Sequence, residues 1–402
     1  MIKNKSLIRY LTSFKISTYL LILLLPVVIF LSGCENSPND LGLIYISPFD
    51  TLNKKVLDSR KDSILITSTN TLKYINTSIS PYIFVGRYQT YESRSLLKFI
   101  SLPTGYDSFT VVSANLKLRY NNTFFQDSLG LNSFNCYRLN RYIDFSQVTY
   151  DQVTSSDIGN TSLGTYSGVL TDTAYVNIPF NGQIVSEWLK NTSDTNTYKN
   201  YGIILLSNTN STTIRGFYSA NISGLGPSMT LVLNKGSETD TVTLNFSSTS
   251  FIADAPASII PNGRIILQSG VSYKCNLKFD LSKLPPNVII NEAYLELKFD
   301  PAYSFTSQNF QDRRIAIAML TDTTLVNIDN NYFYTTLVDS ITYGVRLNSI
   351  FQRWNSGTAV NYGIQLRNLT DATSLNKCAL YSPLASDVIK TPYLRILYTK
   401  RN

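Results

Sequence analysis

The chain reads as an all-β protein built from two tandem antiparallel β-sandwich domains, each with one short helix. Three observations lead there. The 402 residues include 27 Tyr and 20 Phe but only 15% charged residues, and aromatic and β-branched residues set among Asn, Asp and Gly turns favour strands over helices. Short runs alternate apolar and polar residues, as half-buried strands do. The sequence also repeats itself, with many short strands and no long helix between them, which favours antiparallel sandwiches over parallel α/β sheets.

From the N-terminus, Lys3, Lys5, Arg9 and Lys15 stand without an acid, ahead of an apolar stretch from about Tyr19 to Leu31. A secretory apolar core runs roughly 7–15 residues, whereas a spanning helix needs about 20. Pro26 further weakens a long straight helix. The stretch ends in Leu31-Ser32-Gly33-Cys34, which resembles the lipobox of bacterial lipoproteins. That resemblance implies a signal peptide over 1–33, cleavage between Gly33 and Cys34, and lipid on the Cys34 sulfur. An uncleaved N-terminal anchor is the alternative.

Cleavage changes the charge. The whole chain is +8, from 35 Lys+Arg against 27 Asp+Glu. Four of those cations and no acid lie in the leader, so the remainder is +4, too little to indicate a nucleic-acid partner. With Cys34 lipidated, Cys136, Cys275 and Cys378 remain. Three cannot form a disulfide scaffold. Cys275 and Cys378, in the same half, are the one pair to consider, and two buried free thiols are the alternative.

Residues 34–60 read as a polar tether and an entry strand. The first sandwich is expected over 61–235 and the second over 240–402, with the break at Asn234–Asp240. Within them, Ser95–Phe99, Asn115–Tyr120 and Tyr294–Phe299 alternate strictly. Lys98-Phe99 in the first half answers Lys278-Phe279 in the second. Trp188 answers Trp354, and Asn200-Tyr201-Gly202 answers Asn361-Tyr362-Gly363. Offsets shrink from 180 to 166 to 161 along the chain, as they do when strands keep their order and surface loops shorten. Ile184, Val185, Trp188 and Leu189 form one helical stripe, and Leu347, Ile350, Phe351 and Trp354 form its counterpart.

Three landmarks recur in both halves: Leu-Lys-Phe, Leu-Pro and an alternating strand (Leu96 to Leu118; Leu277 to Leu297); the Trp helix and Asn-Tyr-Gly-Ile; and Tyr-Ser, Pro and a closing strand. With them each half resembles the DNRLRE-type domain, which overlaps the family 96 carbohydrate-binding modules. The resemblance implies a jelly-roll-like sandwich and non-catalytic attachment to polysaccharide or cell-surface material. None of the family's ligand-contacting residues can be matched. Asn39–Gly42 and Phe84–Tyr88 also resemble segments of surface lipoproteins without assigned chemistry.

The chain contains no histidine. That removes Ser-His-Asp and Cys-His catalysis and any His-ligated metal site. No Gly-rich phosphate loop precedes a helix. A glycosidase needs only two carboxylates, but no acid here has a recognisable catalytic setting, so the expectation is no enzyme, no catalytic residue and no cofactor. A structural calcium is admitted, because jelly-roll modules hold calcium in oxygen-lined loops; Asp254, Asp300 and Asp312 are loose candidates without EF-hand spacing. Trp188 and Trp354 read as core residues rather than sugar platforms. Lys117 and Arg119 lie on a strand face that is either simply solvated or meets anionic sugars. Asp-Ser/Thr-apolar or Thr triplets begin at Asp50, Asp62, Asp127, Asp172, Asp240, Asp322 and Asp339. They resemble an O-glycosylation sequon of exported Gram-negative proteins, and turn chemistry is the equal alternative.

The expected protein is therefore held in the bacterial cell envelope by lipid on Cys34, at the outer membrane, periplasmic or surface-exposed. Its expected partner is a polysaccharide or surface glycan, with avidity if both domains engage it. The alternative is a structural or assembly lipoprotein that contacts other envelope proteins.

Overall fold

The computed structural model describes residues 54–62, 64–99, 102–171, 175–193, 199–254, 260–307 and 312–400. The leader, Gly33, Cys34 and the tether up to residue 53 lie outside them. The strands in chain order are β1 (Lys54–Asp58), β2 (Ile66–Leu72), β3 (Tyr82–Tyr88), β4 (Tyr91–Lys98), β5 (Thr110–Phe125), β6 (Asn132–Arg138), β7 (Gly164–Gly168), β8 (Tyr175–Phe180), β9 (Ile203–Ser207), β10 (Ile214–Tyr218), β11 (Ser228–Lys235), β12 (Glu238–Asn245) and β13 (Ser248–Asp254). They continue as β14 (Arg264–Gln268), β15 (Tyr273–Phe279), β16 (Ile289–Lys298), β17 (Ile315–Met319), β18 (Phe333–Tyr334), β19 (Thr336–Leu337), β20 (Thr342–Arg346), β21 (Ile364–Asn368), β22 (Lys377–Tyr381) and β23 (Tyr393–Thr399). Two helices, α1 (Gly182–Lys190) and α2 (Asn348–Asn355), complete the described elements. The all-β sandwich expectation is met.

In the first sandwich one layer is β12-β11-β5-β8. The other is built on β4, with β13 along one edge and β3 and β9 sharing the opposite edge. β10 pairs with both β3 and β5 and joins the layers. The alternating faces meet between them: Leu116, Leu118 and Tyr120 pack with Ile83, Val85, Leu97 and Trp188. The second sandwich repeats the plan, β1-β23-β16-β20-β19 against a layer built on β15. Leu277, Phe279, Leu295 and Leu297 fill its core. Each such leucine taken fully out of water stabilises the fold by roughly 1.5–3 kcal/mol.

The expected boundary at Asn234–Asp240 corresponds to no break between sandwiches. It is the two-residue turn of a β-hairpin. Gly236 takes φ +64°, the left-handed conformation such turns need, and Lys235 pairs with Glu238. β12 therefore folds back onto β11, and β13 runs along β4 of the first sandwich. β1 and β2, which precede the first repeat, instead join β23 and β15 of the second. Thr67 of β2 faces Lys278, and Ser248 of β13 faces Lys98. These are the matching lysines of the two repeats. Each sandwich is thus completed by the strand pair that precedes the other repeat, and 82–254 is an uninterrupted sandwich set between the two parts of its neighbour.

The repeated motifs have physical causes. Phe99 meets Trp188 at 6.4 Å between ring centroids, and Phe279 meets Trp354 at 6.2 Å, so the Leu-Lys-Phe strand and the Trp helix are two sides of one contact. Gly202 and Gly363 take φ +108° and +102°. A Cβ there would lie 2.8 Å from the Leu97 carbonyl oxygen and 2.3 Å from that of Leu277, so only glycine fits. Asn181 caps α1 by accepting from the N–H groups of Gln183 and Ile184. In α2 the amides do different work: Asn348, Gln352 and Asn355 bond the backbone of Ala293, Ile290 and Val288, tying the helix to β16.

A third apolar cluster joins the sandwiches. Phe84, Phe125, Ile214 and Phe251 of the first pack with Val271, Tyr273 and Leu375 of the second.

Candidate functional site

Along β5, Leu116 and Leu118 point into the core, so Lys117 and Arg119 point out. The strands around them supply three tyrosines on the same outer face. Arg119 lies opposite Tyr175 of β8, and Tyr218 of β10 lies opposite Tyr82 of β3. The contacts are continuous. The Tyr82 and Tyr218 rings are 5.6 Å apart. The Arg119 guanidinium stands 5.7 Å from the Tyr218 ring and 5.4 Å from the Tyr175 ring. Lys117 Nζ sits 3.9 Å from the Tyr175 centroid. Four strands at about 4.8 Å spacing make this row roughly 14 Å long. Tyr175 is 46% exposed.

Beside Tyr175 and Lys117 lies a groove of about 370 Å³, lined further by Ile222, Ser223, Ser228 and Asn245. Neither Lys117 nor Arg119 forms an ion pair among the described residues, and Arg119 Nε has no hydrogen-bond partner there. Two unneutralised cations flanking an exposed ring form a surface that can stack the C–H face of a sugar and meet its polar or anionic substituents.

The second repeat differs at the same four places. Arg264 stands for Tyr82, Lys298 for Arg119 and Thr342 for Tyr175; only Tyr381 matches Tyr218. Arg264 lies 4.0 Å over the Tyr381 ring and is held there by Asp300 at 2.6 Å. Lys390 approaches the same ring at 5.2 Å. Lys117, on a flexible stem with no carboxylate partner among the described residues, is free to leave Tyr175 for a ligand. Arg264 is fixed. Among the described residues, the second sandwich therefore lacks the aromatic row of the first.

Sequence reasoning named Lys117 and Arg119 on this face but missed Tyr82, Tyr175 and Tyr218. Trp188 and Trp354 are core residues, 2% and 8% exposed. Cys275 and Cys378 are buried free thiols whose strands are separated by β14; burial pushes both thiols up, Cys378 to about 12, so they stay protonated and unreactive.

The three calcium candidates are committed elsewhere: Asp300 to Arg264 and the Ala302 N–H, Asp312 to Arg314, and Asp254 to the Tyr74 hydroxyl. Asp127, Asp322 and Asp339 accept backbone N–H bonds two residues on, the turn chemistry of Asp. The hydroxyl residues that follow them, Ser128, Thr323 and Ser340, are exposed. Asp50 and Asp172 lie outside the described residues.

Fold and site define a two-sandwich β protein with an aromatic, basic face on its first sandwich. No protein-family model matches the chain, and no curated protein does.

Proposed function

We propose that this is a non-catalytic, lipid-anchored protein of the bacterial cell envelope that binds polysaccharide through the outer face of its first sandwich. The observation that carries the reading is the unbroken row Tyr82–Tyr218–Arg119–Tyr175, with Lys117 beside it and no neutralising carboxylate among the described residues. Stacked rings supply affinity at little entropic cost, because tyrosine has few rotamers to lose. The cations favour glycans that carry acidic substituents. The resemblance to the DNRLRE-type and family 96 modules supports the same role.

Lipid on Cys34 would hold the protein through residues 35–53, which lead into β1, a strand of the second sandwich. The first sandwich then carries the ligand and the second carries the tether. Binding is monovalent on this reading, since the second repeat lacks the row.

A polysaccharide panel run against the chain lacking its leader tests the proposal. Retardation by at least one glycan, weakened by added salt as Lys117 and Arg119 are screened, is the expected result. Failure to bind every glycan would favour a structural lipoprotein that contacts other envelope proteins.

A further inference from the structure

A small cavity of about 40 Å³ lies where the two sandwiches meet. Its walls are the rings of Tyr88, Tyr91 and Phe125 from the first repeat; Gln268 and Lys377 come from the second. Gln268 and Lys377 face one another across β14 and β22. Gln89, Thr90 and Gln126, all exposed at its mouth, complete the lining.

Two features set this cavity apart from ordinary packing. Lys377 forms no ion pair among the described residues, and burial pushes its amine below the ordinary lysine range with no opposing carboxylate. A half-buried cation without a counter-charge is costly. The second feature is backbone strain. Gln89 and Gln126 take φ +54° and +67°, in the left-handed region where a non-glycine residue costs on the order of 1 kcal/mol or more. Gln89 occupies the first position of the two-residue β3–β4 turn, where glycine is the usual choice. Both strained positions carry an amide at this one cavity. Among the described residues only six non-glycine positions have positive φ, so two at one small cavity is a concentration of strain.

We infer that the cavity is a binding site for a small carboxylate anion of formate or acetate size. The Lys377 ammonium supplies the charge, and the side-chain N–H groups of Gln89 and Gln126 supply hydrogen-bond donors, while Gln268 already bonds the Tyr91 hydroxyl. The volume admits about three waters at roughly 10–15 Å³ each, so a sugar ring does not fit. A bound anion would touch residues of both repeats and strengthen their junction. The site is separate from the tyrosine row and does not depend on it.

Isothermal titration of sodium formate and sodium acetate into the full chain, at fixed ionic strength, tests this. The expected result is saturable binding of one anion per chain, abolished in Lys377→Met. Gln126→Gly relieves the strained backbone and removes one donor. It should fold at least as well as the native chain and bind about tenfold more weakly, the loss of one charge-assisted hydrogen bond. No saturable heat with the native chain, or identical isotherms for native and Lys377→Met, would overturn the inference. Should Lys377→Met fail to fold, unchanged affinity in Gln126→Gly overturns it alone.

Discussion

At the scale of single residues, carboxylate partners distinguish the two repeats. Arg264 and Arg119 occupy similar faces of the two repeats, yet Asp300 fixes one and no described carboxylate fixes the other. An arginine–carboxylate contact also contributes to the acid stability of the first sandwich. Arg141 forms two bonds to Asp157, and Thr154 donates its backbone N–H to the same carboxylate. The Arg141 bonds are the larger cause that holds the Asp157 carboxyl at about 2, against an ordinary 3.8. Its folded pKa is depressed, so its stabilisation is complete above about pH 4 and is lost as pH falls towards 2. Arg141 is half exposed, so solvent screening limits the gain to ~1–2 kcal/mol. Urea unfolding should find the native chain more stable than Asp157→Asn by that amount at pH 6, with the gap reduced to about a third of it at pH 2.5. An equal gap at both pH values would contradict the assignment.

At the scale of elements, what is local was legible and what is non-local was not. The leucine stripes of β5 and β16 follow from period-two alternation, and the stripes of α1 and α2 from helical spacing; both are properties of a few consecutive residues. The Asn-Tyr-Gly motif was visible as a repeat, though its cause was not. Only the close approach of the Leu97 and Leu277 carbonyls explains the glycine. Gly202→Ala and Gly363→Ala should each cost more than about 2 kcal/mol, from positive φ and backbone collision together, read as a lowered urea midpoint with unchanged slope. A change within about 0.5 kcal/mol would show that the approach is not tight. The Tyr82–Tyr218–Arg119–Tyr175 row was illegible for the opposite reason. Its four members are 37, 56 and 43 residues apart in sequence order, and only the registers of β3, β5, β8 and β10 make them neighbours. Lys235-Gly236-Ser237-Glu238 carried a hairpin signal that competed with a domain break, and pairing of β12 with β11 resolved it.

At the scale of the whole molecule, exchanged strand pairs link two sandwiches that share one fold plan. The first sandwich, 82–254, is uninterrupted; the second needs β1 and β2, which bring Leu57 and Ile66 to its core. A chain shortened to begin at Lys73 should therefore lose hydrogen-exchange protection across 264–399 while retaining it across 82–254. Protection kept throughout, or lost throughout, would contradict the strand assignment. The proposed function shares this asymmetry: the proposed tether leads in sequence to β1 of the second sandwich, and the aromatic row lies on the first. The most direct measurement is a calorimetric titration of one retained polysaccharide into three chains: native, Tyr175→Ala and Tyr381→Ala. Loss of one stacking ring should weaken binding about tenfold in Tyr175→Ala and leave Tyr381→Ala equal to native. Equal losses in both variants, or none in Tyr175→Ala, would contradict a single binding face on the first sandwich.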